Sequence, residues 1–349
     1  MRRQILDIAL TLGVGTLGAV LFTLVGFPAA SLTGAAVAVT LAGIAGLRFG
    51  LPVWLRNGAF VVLGVNIGTG VTPAMLQSAA TWPLSIGILG VSLVVGMALA
   101  QAGLVRWMSF APRDAALAAA PGHLSYVLSL SLEKGGETPR IAVVQSIRVL
   151  FLTLCVPLLV TVFFGGAGVA LLPSPVMSVG ALAGLAAAAL ALGFVFQRLR
   201  LPAAFLLAGM FVSALGHALE VTPGRLSPAF EFAAFVIMGS LIGSRFAGQS
   251  GAVLRNSFLA GLWVTGVNVV VTLAAMAVAL MLLGLPPALL IVGFAPGGVE
   301  AMAAIAVTLG LDPAFVAAHH VMRLMILTFL IPVWLQRSGP QSSDFKGKG

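Results

Sequence analysis

The chain is short of charge. Asp, Glu, Lys and Arg make up 8% of its 349 residues, against about 25% in an ordinary soluble domain. That shortage excludes a water-facing surface of normal extent. Cysteine occurs once, as Cys155 inside an apolar run, which excludes a disulfide framework and a thiolate metal site. Polar and apolar residues do not alternate with period two, which argues against a β-barrel. No basic cluster is dense enough to follow a phosphate backbone, so direct nucleic-acid binding is not expected despite a formal net charge of +9. There is no nucleotide loop, no nucleophile motif and no linker able to hide a soluble domain. The apolar run from Ile5 follows Met-Arg-Arg-Gln with no cleavage site and polar sequel behind it, so it reads as a first span rather than a signal peptide.

What is present is apolar. Hydrophobic residues reach 60%, against roughly 45–50% in soluble domains, and mean hydropathy is +1.13. Apolar segments fall at 5–25, 28–47, 53–70, 82–104, 114–132, 141–164, 176–196, 202–219, 230–246, 258–283, 287–310 and 313–335. Several approach the ~20 residues that a bilayer-spanning helix needs. The expected fold class is an all-α polytopic membrane protein.

The twelve segments form two sets of six. Ala-Pro-Gly at 120–122 is followed by Arg148 and Pro157; Ala-Pro-Gly at 295–297 is followed by Arg323 and Pro332. The two Pro-Arg-Pro trios are offset by 175 residues without a gap. Phe60, Gly64, Ile67 and Gly68 match Phe235, Gly239, Ile242 and Gly243 at the same offset, and Gly34 is paired with Gly209. The expected organisation is a first repeat at 1–170, a second at 171–336 and a polar tail at 337–349.

Loop charge sets the expected topology, because cytoplasmic loops collect Lys and Arg. If each fifth segment, broken by its Pro-Gly, enters and leaves on one side, all of the following fall inside: Arg48, Arg56, Arg106, Arg113, Lys134, Arg140, Arg198, Arg200, Arg245, Arg255 and Arg337. Arg225 alone falls outside. That gives about ten transmembrane helices plus two broken, re-entrant elements, with both termini cytoplasmic; the short third segment is the other candidate for re-entry. Five spans per copy is odd, so the repeats are expected to have inverted topology. A multi-pass protein of a bacterial inner membrane is the expected setting.

The breaks carry the expected chemistry. Irregular backbone at membrane depth survives only against protein or a water-filled cavity, and half-helix N-termini there favour anions. Pro121, Gly122, His123 and Ser125 in the first copy, and Pro296, Gly297, Gly298 and Glu300 in the second, are candidate solute ligands. Arg148 and Arg323 lie well inside apolar runs, where a charge must face a partner or a cavity. They are candidates either for a solute carboxylate or phosphate, which the guanidinium fork suits, or for clamping half-helix carbonyls. Gln145 and His320 are placed on their helical faces. Glu300 is a partner for Arg323 or a carrier of a coupling proton. Asp312 and Glu137 read as carboxylates at helix N-termini. The histidines lack metal-motif spacing, so no metal and no cofactor are expected.

With these residues in place, the chain resembles the duplicated AbrB membrane protein family. The resemblance rests on Ala120 to Arg148 with its Gln-Ser-Ile-Arg, on the matching stretch near 295–323, on Leu63-Gly-Val-Asn-Ile-Gly68 and on Trp82-Pro83. It covers nearly the whole length, although the second copy carries His319-His320 in place of Gln-Ser. Family members carry two labels, regulator of gene expression and ammonia monooxygenase; the residues support neither as a direct activity. The expectation is a secondary transporter of a small, anionic organic solute, coupled to a proton or Na+, and not an enzyme. A membrane-bound regulator acting through partners is the alternative, and an oxidase the third. The partners expected are the lipid bilayer and the solute; a homo-oligomer is compatible with the sequence.

Overall fold

The computed structural model describes residues 2–69, 82–165 and 175–338. The expected boundary at 170/171 and the tail beyond 338 lie outside the described residues. Within them the chain is helical: α1 (Arg2–Leu24), α2 (Ala30–Ile44), α3 (Val53–Thr69), α4 (Trp82–Met108), α5 (Pro112–Ala119), α6 (Leu124–Glu133) and α7 (Thr138–Phe164), then α8 (Val179–Arg198), α9 (Ala204–Ala218), α10 (Pro228–Ser244), α11 (Gly251–Leu283), α12 (Pro287–Phe294), α13 (Val299–Thr308) and α14 (Pro313–Arg337). Six of these (α1, α4, α7, α8, α11 and α14) are long and apolar enough to cross a membrane. This is a membrane protein.

Helix ends follow local chemistry. Proline opens α5, α10, α12 and α14, where its missing N–H costs nothing. Asp312 caps α14 by accepting from the N–H groups of Ala314 at 2.9 Å and Phe315 at 3.0 Å, as expected. Glu137 makes no such cap and pairs with Arg140 at 3.3 Å instead. The helices α2 and α9 are shorter than the segments at 28–47 and 202–219, because Ala29 (φ 52°) and Ala203 (φ 50°) take left-handed backbone as N-caps. With 15 residues each, they are about 22 Å long.

Those two alanines correct the register of the repeat. Gly64 of α3 meets the Leu206 carbonyl, and Gly239 of α10 meets the Leu32 carbonyl; a Cβ on either glycine would lie 2.2 Å from that oxygen. Leu32 and Leu206, like Ala29 and Ala203, are 174 apart. The offset is therefore 174 in the second helix of each copy and 175 from the third onward, and Gly34 stands opposite Ala208 rather than Gly209.

Two groups of helices result. The first three of each copy pack side by side in the row α1, α2, α10, α3, α9, α8. This order reads the same when the copies are exchanged. The close glycine contacts hold α2 to α10 and α3 to α9, one helix from each copy. The remaining helices form a bundle around the pair α4 and α11. Contacts between row and bundle are sparser, and come chiefly from α3, α10 and α2 against α13, α7 and α14.

Candidate functional site

Each break is built by a ladder of hydrogen bonds from the helix that follows it. Gln145 Nε2 donates to the Leu117 carbonyl at 2.8 Å, and one turn further on Arg148 Nη1 donates to the Ala120 carbonyl at 2.8 Å. In the second copy His320 Nε2 meets the Val292 carbonyl at 2.9 Å and Arg323 Nη1 donates to the Ala295 carbonyl. All four pairs correspond at an offset of 175. The rungs ascend together, so α5 runs parallel to α7, and α12 to α14. The intervening α6 and α13 must then bring the chain back. At the open end of the first hairpin, the Glu137 N–H indeed reaches Asp114 of α5 at 3.4 Å. In the first broken segment α5 and α6 thus fold back on each other, and the second broken segment is held by the same ladder.

The ladder also corrects the reading of the histidines. His320, not the His319-His320 pair, stands in the place of Gln145, and His319 stands opposite Val144. Arg323 Nη2 donates to His320 Nδ1, as Arg148 Nη2 does to Gln145 Oε1 at 3.4 Å. A guanidinium can only donate, so Nδ1 is the acceptor and Nε2 carries the proton given to Val292. Neutral imidazole and carboxamide each supply one N–H and one acceptor, so the two residues perform one task. His319 turns to the other face, with Ser85 Oγ at 2.7 Å and the Phe315 carbonyl at 2.8 Å.

Arg148 and Arg323 are therefore clamps on the last carbonyls of α5 and α12, which no helical N–H can reach. Both are fully buried. Arg323 spends a further N–H on the Gly297 carbonyl and is not among the residues lining the cavity, although its Nε has no hydrogen-bond partner. Arg148 does line the cavity, and its Nε has no hydrogen-bond partner.

The tips of the two hairpins line one cavity. A Cβ on Gly122 (φ 126°) would lie 3.7 Å from Nε of Arg323, the residue that clamps the second break. A cavity of about 440 Å3 opens there, between row and bundle. From the bundle it takes Gly122, His123, Ser125, Gln145, Arg148, Gly297, Gly298 and Glu300. Pro121 and Pro296 stand behind them, ending α5 and α12. From the row come Arg56, Asn57, Phe60, Gln197, Ala203, Phe205, Ser244 and Arg245. Sequence reasoning placed Arg56 and Arg245 in loops as topology charges; helix ends that border a loop also border this cavity. Glu300 pairs with Arg245 at 3.5 Å, not with Arg323.

The electrostatics favour an anion. Three arginines, Arg56, Arg148 and Arg245, line the cavity with one carboxylate, Glu300. The N-caps of α6 and α13, His123 and Gly298, make no side-chain cap, so the first-turn N–H groups of both half-helices lack a capping partner and favour an anion. Among the described residues, no three His, Cys, Asp or Glu side chains come together as metal ligands.

An all-helical membrane scaffold with two hairpins meeting at a basic cavity is the class that the geometry defines. The chain matches the family described as Transition state regulatory protein AbrB over residues 31–338, and it belongs to that family. It is 28% identical over 309 residues to the uncharacterized protein YhjN of Bacillus subtilis (strain 168), across 80% of this chain and 77% of that protein. It is 27% identical over 233 residues to a protein of Escherichia coli (strain K12) whose name proposes it as regulator AbrB, across 65% of this chain and 66% of that one.

Proposed function

We propose that the protein is a secondary transporter of a small organic anion. The observation that carries this reading is the charge of the cavity: three guanidinium groups and two uncapped helix N-termini against one carboxylate, in surroundings where unbalanced charge is costly. The volume of about 440 Å3 lies in the range of about 300–1,000 Å3 of small-molecule sites. On this reading each copy crosses the bilayer five times and adds one re-entrant hairpin. The copies are then inverted, and the hairpins enter from opposite faces. The row residues at the cavity all sit at helix ends that the loop charges assign to the cytoplasm, so this conformation is open inward. Alternating access is motion of the bundle against the row.

The test is uptake of radiolabelled mono- and dicarboxylates by proteoliposomes. At least one is expected to be accumulated, with a loss of tenfold or more in Arg245→Gln and Arg56→Gln. Uptake unchanged in both variants, or no carboxylate transported, would overturn the reading. Binding without uptake would favour a membrane-bound regulator acting through partners; the name of the E. coli relative proposes that protein as a regulator.

A further inference from the structure

We infer that Glu300 is a resident stand-in for the acid group of the solute, and that an incoming anion displaces it from Arg245. The inference rests on the anion reading of the cavity and assigns the residue that tunes it. The two hairpins present equivalent half-helix N-termini, but their first turns differ. At the second position of α6 stands Ser125; at the second position of α13 stands Glu300. The Glu300 carboxylate folds back over its own helix end. A Cβ on the N-cap Gly298 would lie 3.1 Å from Oε2. The carboxylate thus occupies the place where a ligand anion would meet the uncapped N–H groups of α13. The matching place on α6 holds no carboxylate.

The pairing with Arg245 is loose. At 3.5 Å it is longer than the roughly 2.7–2.9 Å of a tight charge-assisted hydrogen bond. Both side chains keep some exposure, 20% for Arg245 and 14% for Glu300, and both line the cavity. Arg148 stands fully buried in the same wall with its Nε unpartnered. Among the described residues, Arg245–Glu300 is also the one ion pair that joins row to bundle; the other, Arg140–Glu137, is local to the start of α7. A solute carboxylate that takes Arg245 therefore frees Glu300 and opens the charged tie between the two groups of helices.

The experiment uses acetate as the probe and the thermal stability of the full chain as the readout, against chloride at equal ionic strength. Glu300→Ala empties the place. Acetate is expected to raise its melting temperature with a half-saturating concentration at least tenfold below that of the wild type. Adding Arg245→Gln to Glu300→Ala should abolish the response. Glu300→Gln keeps the shape and frees Arg245; it is expected to respond at lower acetate than the wild type, and it carries the test if Glu300→Ala does not fold. An equal acetate response in the wild type and both Glu300 variants, or a response that survives in the double variant, would overturn the inference. Solute uptake by the wild type is a separate measurement, so a failure of the transport reading is distinguishable from a failure of the role of Glu300.

Discussion

Arg323→Ala is expected to lower the melting temperature of the purified protein by several degrees and to abolish uptake. The substitution strips donors from three buried acceptors at once: the Ala295 carbonyl, the Gly297 carbonyl and His320 Nδ1. The Ala295 carbonyl keeps the Gly297 N–H at 2.8 Å, but the Gly297 carbonyl and His320 Nδ1 are left without a donor, at about 1–3 kcal/mol each. Hydrogen bonds in membrane proteins average nearer ~0.6 kcal/mol, which sets the lower bound at about 2 kcal/mol for the three. Arg148 serves two acceptors, the Ala120 carbonyl and Gln145 Oε1, so Arg148→Ala should be the milder of the pair in a thermal melt. A lysine at 323 restores charge without the planar fork and should rescue only in part. His320→Gln should melt close to the wild type, because glutamine already fills the matching rung at Gln145, whereas His320→Ala should resemble the arginine variant. A His320→Gln variant as unstable as His320→Ala would show that the two ladders are not equivalent.

The second large effect is expected in the row. A leucine in place of Gly239 or Gly64 must force two helices apart, because even a methyl group there would lie 2.2 Å from an opposing backbone oxygen. Backbone yields less readily than a side chain, so the cost should exceed the usual ~1–3 kcal/mol of overpacking. Gly13→Ala in α1 and Gly180→Ala in α8 meet nothing within 4 Å. They should be neutral or stabilise by about 0.5–1 kcal/mol through helix propensity alone. Melting curves of the four variants separate close helix contact from a general intolerance of glycine replacement. Equal losses in all four would mean that the row is not held backbone to backbone.

The sequence made the duplication legible because proline and glycine at a break and a buried arginine cannot be exchanged freely for other residues. Pro121, Pro296, Arg148 and Arg323 kept their spacing, and with it the position of both hairpins. The ladder itself was half hidden, since Gln145 and His320 do one task with different side chains. Arg56 and Arg245 were invisible as cavity residues. Each ends a helix where a loop charge is ordinary, and only packing of the row against the bundle turns them inward. From the sequence Glu300 is a partner for Arg323, one helix away, or a carrier of a coupling proton; in the fold the end of α10 delivers Arg245 to it from 55 positions earlier. Arg56 has no repeat partner of its kind either: Glu231 stands at that place and bonds Asn66.

On the proposed topology the two hairpins enter from opposite faces, and their tips line one cavity. Glu133 and Thr308 occupy equivalent ends of α6 and α13, and both are exposed. In a background without Cys155, single cysteines at these two positions can be labelled in intact cells with a membrane-impermeant maleimide. The cysteine at 308 is expected to react from outside, and the one at 133 only after the cells are opened. Labelling of both from the same side would contradict entry from opposite faces.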